Sequence, residues 1–192
     1  MPNTTSSRSR RGKIIAAVCI IVLVLLLIAD LLAGNYLVSF AVGRKTSGGA
    51  SVAPTPTTTS DTQKKVDENA DLLSAQSKEW LARTPTEKVS VTSDDGLHLV
   101  GDIVMHEEST HQWAIVVHGY SGRRVWMYDY ACMWAQHGYN VLLPDLRGHG
   151  ESDGDYIGMG WLDRKDMLQW IGLILDRDPE AEIILHGVSM GG

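Results

Sequence analysis

Apolar and polar positions divide the chain into stretches of different character. Residues 14–29 are all Ile, Val, Leu, Ala or Cys, and apolar residues resume after Asp30 as far as Val42. A bilayer core about 30 Å thick needs about 20 apolar residues at helical rise. Residues 14–33 supply that run with one charge, Asp30, near its far end, where the interface is within reach. The pattern predicts a membrane-spanning signal-anchor helix over residues 14–40, preceded by a basic segment at 1–13. A cleavable secretory signal is the alternative. Its apolar core is usually only about 7–15 residues long, and the small-x-small site Ser39-Phe40-Ala41 lies far from the densest apolar stretch.

Residues 41–63 read as a low-complexity linker. Ser47-Gly48-Gly49-Ala50 and Pro54-Thr55-Pro56-Thr57-Thr58-Thr59 offer nothing to bury, so a plain spacer is expected in preference to a glycosylated stem. Helical spacing returns at 64–85, with Val66, Ala70, Leu73, Ser77 and Trp80 or Leu81 on one face, and Thr84-Pro85 ends it. This entry helix is expected to pack on the globular domain through Trp80 and Leu81.

From residue 86 to 192 the period changes. Residues 87–92 and 98–105 alternate around Asp94-Asp95-Gly96, the signature of a β-hairpin. Short continuous apolar runs appear at 114–117, 141–143 and 183–185, as expected of parallel strands buried on both faces. Helical stretches at about 126–137 and 161–175 separate them. The alternation predicts an α/β class fold with a mostly parallel sheet covered on both sides.

Composition adds exclusions. The net charge is −6, although Arg8, Arg10, Arg11 and Lys13 crowd the N-terminus. An acidic body without a basic stripe excludes nucleic acid as a partner. The positive charge ahead of the apolar run places the N-terminus in the cytoplasm, which leaves the globular part extracellular on a single-pass anchor. Cys19 and Cys132 cannot pair, because one belongs to the apolar helix.

The candidate chemistry lies at strand ends. Gly187-Val188-Ser189-Met190-Gly191 comes directly after the run Ile183-Ile184-Leu185 and His186. Glycines flank a serine where a chain turns so sharply from strand to helix that other side chains would collide. The serine, held in a strained conformation, is lifted above the sheet beside a helix N-terminus. Ser189 is therefore the expected nucleophile. A second small-residue loop, His118-Gly119-Tyr120-Ser121-Gly122, succeeds residues 114–117. Backbone N–H groups of Tyr120 and Met190 are the expected oxyanion donors. His118 is read as orienting its loop rather than as a base. In Pro144-Asp145-Leu146-Arg147-Gly148-His149-Gly150-Glu151-Ser152, Asp145 and His149 could complete a triad, or join Asp153 and Asp155 around a metal. The plainer reading is a structured loop in which Asp145 and Arg147 fix backbone groups, since the spacing suits no metal. His186, at a strand end, is read as packed. No cofactor is expected.

Together these motifs, in this order and spacing, resemble the α/β-hydrolase family, in particular its lipase, esterase and serine-aminopeptidase-like branch. Trp80-Leu81, Thr84-Pro85 and Ser93-Asp94-Asp95-Gly96-Leu97 are similar to membrane-anchored bacterial members. The resemblance runs from about residue 71 to 192 and implies a sheet whose second strand is antiparallel and whose fifth carries the nucleophile. It implies cleavage of an ester or related acyl bond of a small-molecule substrate through an acyl-enzyme on Ser189. A peptidase, or a surface module that keeps the fold without chemistry, is the alternative. In that family the triad acid and histidine come after the serine; neither is present in residues 1–192. The sequence is thus expected to be the N-terminal half of the fold behind its anchor, inactive by itself and completed by about a hundred further residues. The oligomeric state is not legible.

Overall fold

The computed structural model describes residues 5–44 and 61–192, in two compact units divided after Ala41. Residues 45–60 of the expected linker 41–63 therefore lie outside the described residues, as does the side chain of Val66.

The first unit is one helix. Helix α1 runs Thr5–Val42, starting earlier and ending later than the expected 14–40. Within it, Gly12–Val42 has the length and apolarity to cross a membrane, with a mean hydropathy of 3.2 over its most apolar 18 residues, and its side chains to residue 41 are exposed. Tyr36 and Phe40, four apart on one face, stack at 6.4 Å near its end.

In the second unit, α2 (Asp61–Arg83) ends where Thr84 Oγ1 donates to the carbonyl of Trp80 at 2.8 Å. The predicted hairpin comes next. Strands β1 (Glu87–Thr92) and β2 (His98–Val104) pair antiparallel from Glu87–Ile103 to Thr92–His98. Ser93 closes the turn: its Oγ accepts from the Leu97 N–H at 2.8 Å and donates to Asp95 at 2.6 Å. The alternating units then begin. Strand β3 (Gln112–Val117) leads through a 3-10 turn at Arg124–Met127 into α3 (Tyr128–Gln136). Strand β4 (Asn140–Pro144), α4 (Asp163–Arg177) and β5 (Glu182–Gly187) complete the series.

The sheet order is β1-β2-β4-β3-β5. β2 is antiparallel to both neighbours, while β3 is parallel to β4 and to β5. Four strands thus point one way and β2 alone the other, as the sequence led one to expect. Period-two geometry sends alternate β3 residues to opposite faces. Trp113, Ile115 and Val117 join Leu99, Ile103 and Leu142 beneath Trp170 and Ile174 of α4. Ala114 and Val116 join Val104, Val141 and Leu143 against Met127 and the small α3 residues Ala131 and Ala135. Trp80 of α2 packs on this second cluster. Leu81 lines a separate cleft with Val125 and Trp126. Both faces of the central strands are covered. β5 is less enclosed, with Leu185 60% exposed beside a groove of about 320 Å³.

The topology says where chemistry should sit. From β3 the chain crosses one face through α3 to reach β4, then crosses the other through α4 to place β5 on the far side of β3. The carboxyl ends of β3 and its neighbours therefore flank a reversal in strand order, the place where open α/β sheets form ligand crevices.

Candidate active site

Two loops meet at that reversal. β5 ends at Gly187, and Ser189 has φ +56°, a left-handed conformation that costs a non-glycine residue about 1–2 kcal/mol. The turn leaves no room for side chains on either side. A Cβ on Gly187 would stand 2.0 Å from the carbonyl oxygen of Gly191, and one on Gly191 would stand 2.6 Å from those of Val117 and His118. The Val188 N–H donates to Val117 O at 3.1 Å, so the turn is stitched to the end of β3. The serine is exposed. A 3-10 turn over Ser189–Gly191 follows, closed by the Gly192 N–H on Ser189 O at 3.1 Å.

The β3 loop abuts this turn. A Cβ on Gly119 would lie 3.1 Å from Ser189 Cβ and 3.7 Å from its Oγ, so only glycine lets the backbone come this close. Tyr120 and Met190 thus each adjoin a residue of this contact, Tyr120 after Gly119 and Met190 after Ser189. Tyr120 is partly exposed, and Met190 packs on the core beneath α4.

His118 is held by both ring nitrogens. Nε2 accepts from the Leu146 N–H at 3.0 Å, which leaves Nδ1 to donate to Gly119 O at 2.8 Å. This fixes the neutral tautomer, and burial pushes its pKa down to about 4. His149 is similar: Nε2 accepts from the Ser121 N–H at 3.2 Å and Nδ1 donates to Arg147 O at 3.0 Å, with burial again lowering its pKa. The two rings meet edge to face at 4.8 Å. Both imidazoles thus brace backbone between the loops, and neither has a nitrogen left for Ser189. His186 packs against Tyr130 and Trp134, as its position suggested.

A buried neutral histidine has a consequence for stability. The unfolded chain takes up a proton near pH 6.5, whereas folded His118 resists protonation down to about 4. Its contribution is therefore complete above pH 6.5 and is lost as pH falls toward 4, by up to about 3 kcal/mol. His118→Gln is expected to flatten that part of the acid limb in urea titrations run at successive pH values. An unchanged slope would show that His118 does not carry it.

Below the loops lie charges whose arrangement sequence reasoning missed. Arg124 Nε donates to Asp102 at 2.7 Å, Nη1 to Asp145 and Nη2 to Glu151 at 2.5 Å, while its backbone N–H donates to Asp145 Oδ1 at 2.7 Å. Burial opposes the guanidinium charge, but hydrogen bonds with Glu151 and Asp102 more than offset it and raise the pKa. Tyr128 donates to Asp102 at 2.7 Å, and burial together with that bond drives its phenol pKa up. Hydrogen bonds from Lys88 and then Arg124 hold the Glu151 carboxyl down at about 2. Asp145 also receives the Glu151 N–H at 2.9 Å, so it fixes backbone as expected. Arg147 does not bind backbone: it clamps the side chains of Asp166, at 2.6 and 2.7 Å, and Asp95, at 2.9 and 3.0 Å. Asp153 accepts from the His98 N–H at 3.0 Å. Among the described residues no group of three or more His, Cys, Asp or Glu side chains is set to hold a metal.

A sheet of this order, with a strained serine between glycines after its fifth strand, has the architecture of an α/β hydrolase. Comparison with known proteins agrees. Residues 108–192 match the family model described as serine aminopeptidase, S33. The chain is 36% identical over 80 residues to caffeoylshikimate esterase of Arabidopsis thaliana, covering 39% of this chain and 24% of that protein. It is 31% identical over 116 residues to the uncharacterized protein YfhR of Salmonella typhi, covering 57% and 39%. In structure it is similar to the esterase Pf2001 of Pyrococcus furiosus, with a TM-score of 0.53 at 29% identity over 56% of this chain and 43% of that one. Fold and matches together give this chain an α/β-hydrolase fold, half of which it covers. It spans between 24% and 39% of the length of these curated relatives.

Proposed function

We propose that the full-length protein is a membrane-anchored serine hydrolase that cleaves an ester or related acyl bond through an acyl-enzyme on Ser189. One observation carries this reading. Ser189 stands exposed at φ +56° between two glycines that admit no Cβ, with the Gly119 loop against it. Backbone is rarely held in such a state without a use for it. In this reading the N–H groups of Tyr120 and Met190 stabilise the oxyanion, and the chemistry needs neither metal nor cofactor. The triad histidine and acid lie after Ser189 in the full-length protein, in the family's order. Residues 1–192, whose buried histidines are committed to backbone, therefore give no ester turnover above buffer by themselves. Helix α1 is the anchor, with its basic N-terminal flank cytoplasmic and the hydrolase domain outside. Carboxylesters are the favoured substrates, in keeping with the esterases among the similar proteins. The match to a serine aminopeptidase model favours an amide substrate as the second reading.

A fluorophosphonate probe followed by peptide mass spectrometry tests the nucleophile. The adduct is expected on the peptide that contains Ser189. An adduct on another serine, or none while the protein hydrolyses nitrophenyl esters, would overturn the assignment.

A further inference from the structure

Among the described residues three non-glycine positions have left-handed backbone, and two of them belong to the loops that meet at the site: Ser189 at φ +56° and Ser121 at φ +57°. The turn around the nucleophile accounts for the first. The second needs its own cause. The Gly122 N–H donates to Gly119 O at 3.0 Å, which closes a four-residue turn over 119–122. With Tyr120 at negative φ and Ser121 at positive φ, the turn is of type II, whose third position normally takes glycine. A serine is disfavoured there by about tenfold, so something outside the turn must hold it.

His149 supplies that hold. Its Nε2 accepts the Ser121 N–H at 3.2 Å while Nδ1 donates to Arg147 O at 3.0 Å, and burial, by lowering its pKa, favours the neutral ring. The backbone that carries the ring is pinned on both sides: the His149 N–H donates to Leu146 O, and the Ser152 N–H to His149 O, each at 3.0 Å. The acceptor therefore stands at a fixed point. A type I turn is the competing form, which swings the Tyr120–Ser121 peptide by about 150° and returns Ser121 to negative φ. In that form the Tyr120 carbonyl replaces the Ser121 N–H opposite Nε2, and two acceptors meet. The neutral imidazole thus stabilises one turn and opposes the other.

Gly119, the first residue of this turn, is the one packed against Ser189, and Tyr120 comes next. With the His149 bond the turn has one state. Without it there are two, and the corner at Tyr120 loses its fixed place. We propose that His149 is a positioning residue: by accepting the Ser121 N–H it holds the 119–122 turn in its left-handed form and so fixes the Tyr120 N–H as an oxyanion donor beside Ser189. The proposal rests on the reading of Ser189 as nucleophile and Tyr120 as donor given above. His149 touches no reacting atom and acts through Ser121.

Two variants of the full-length protein separate the two bonds of the ring. In His149→Gln the amide oxygen reaches the place of Nε2. In His149→Asn the shorter amide reaches only the place of Nδ1, and no acceptor is left for Ser121. Nitrophenyl ester kinetics are expected to show His149→Asn down by roughly 10- to 100-fold in kcat, with KM within about twofold and His149→Gln within about threefold of the parent. Adding Ser121→Gly to His149→Asn should bring kcat back to within about threefold of the parent, because glycine takes the left-handed form unaided. Equal kcat for the parent and His149→Asn, equal losses in the Gln and Asn variants, or no recovery with Ser121→Gly overturns the positioning role. So does a loss of kcat that follows a falling urea midpoint. Fluorophosphonate labelling keeps the two readings apart. A parent protein that hydrolyses the ester without an adduct on Ser189 overturns the nucleophile and this proposal with it. An adduct on Ser189 together with undiminished turnover by His149→Asn overturns the positioning role alone.

Discussion

Replacing Ser189 with glycine in the full-length protein is expected to abolish turnover while leaving the fold as stable as before, or more so. The loss should be on the order of 10⁶-fold in kcat, because in the proposed mechanism the hydroxyl supplies the bond-forming atom. The stability side comes from the backbone. Ser189 is held at φ +56°, where a side chain costs about 1–2 kcal/mol and glycine costs nothing. Glycine also loosens the unfolded chain, which returns about 0.5–1 kcal/mol of that gain. The net is a change between about zero and +1.5 kcal/mol. Ser189→Ala keeps the strain and should match the parent in stability while being equally inactive. Nitrophenyl ester kinetics and urea unfolding on the three proteins check this. A clear fall in stability for the glycine variant would mean that the turn is not strained.

The second large effect concerns Arg124. Its side chain is 6% exposed and bridges Asp102 and Asp145, whose side chains are 7% and 0% exposed. Removing one partner of a buried ion cluster costs about 3–5 kcal/mol, since the charges left behind have neither water nor counterion. Arg124→Met keeps the bulk and deletes the charge, so it isolates that cost. Arg124→Lys restores a charge, but a point ammonium cannot reach Asp102, Asp145 and Glu151 at once in the planar fork that arginine offers. It should fall between the two. Urea midpoints at pH 7 and low salt provide the measurement. A Met variant within about 1 kcal/mol of the parent would show that the cluster is dispensable, as some buried ion pairs are.

The same cluster shows what sequence can and cannot reveal. The hairpin, the buried strands and the glycine-flanked serine were legible because each is written locally: a two-residue alternation, a short β-rich run, a spacing of small residues. The antiparallel second strand came from family resemblance, and the register bears it out. Arg124 gave no such signal. Its partners lie 21 to 27 positions away on other elements, and only the folded sheet gathers them. Arg147 was noticed but given the wrong partners, because a loop pattern says that a residue is held without saying by what. His118 and His149 needed both ring nitrogens to be seen before they could be read as braces. Composition also hid the pairing of residues 42–44, which look like the start of a spacer, although the Ile157 N–H donates to Val42 O and the Arg44 N–H to Asp155 O, each at 2.7 Å. Tyr120 and Met190 were named from the sequence, and in the fold each adjoins one of the two residues that meet, Gly119 and Ser189.

One consequence of the strand order reaches back to synthesis. β5 pairs with β3, Gln112 opposite Glu182, although the chain has meanwhile built α3, β4 and α4. The hairpin can close as soon as it is made, whereas the β3–β5 pairing is non-local and must wait for its strand to emerge. The strained serine turn is stitched to β3 through Val188 and Val117, so it cannot be set before β5 docks. A nascent chain therefore carries a folded scaffold before it carries the strained serine turn, which is among the last features this stretch acquires.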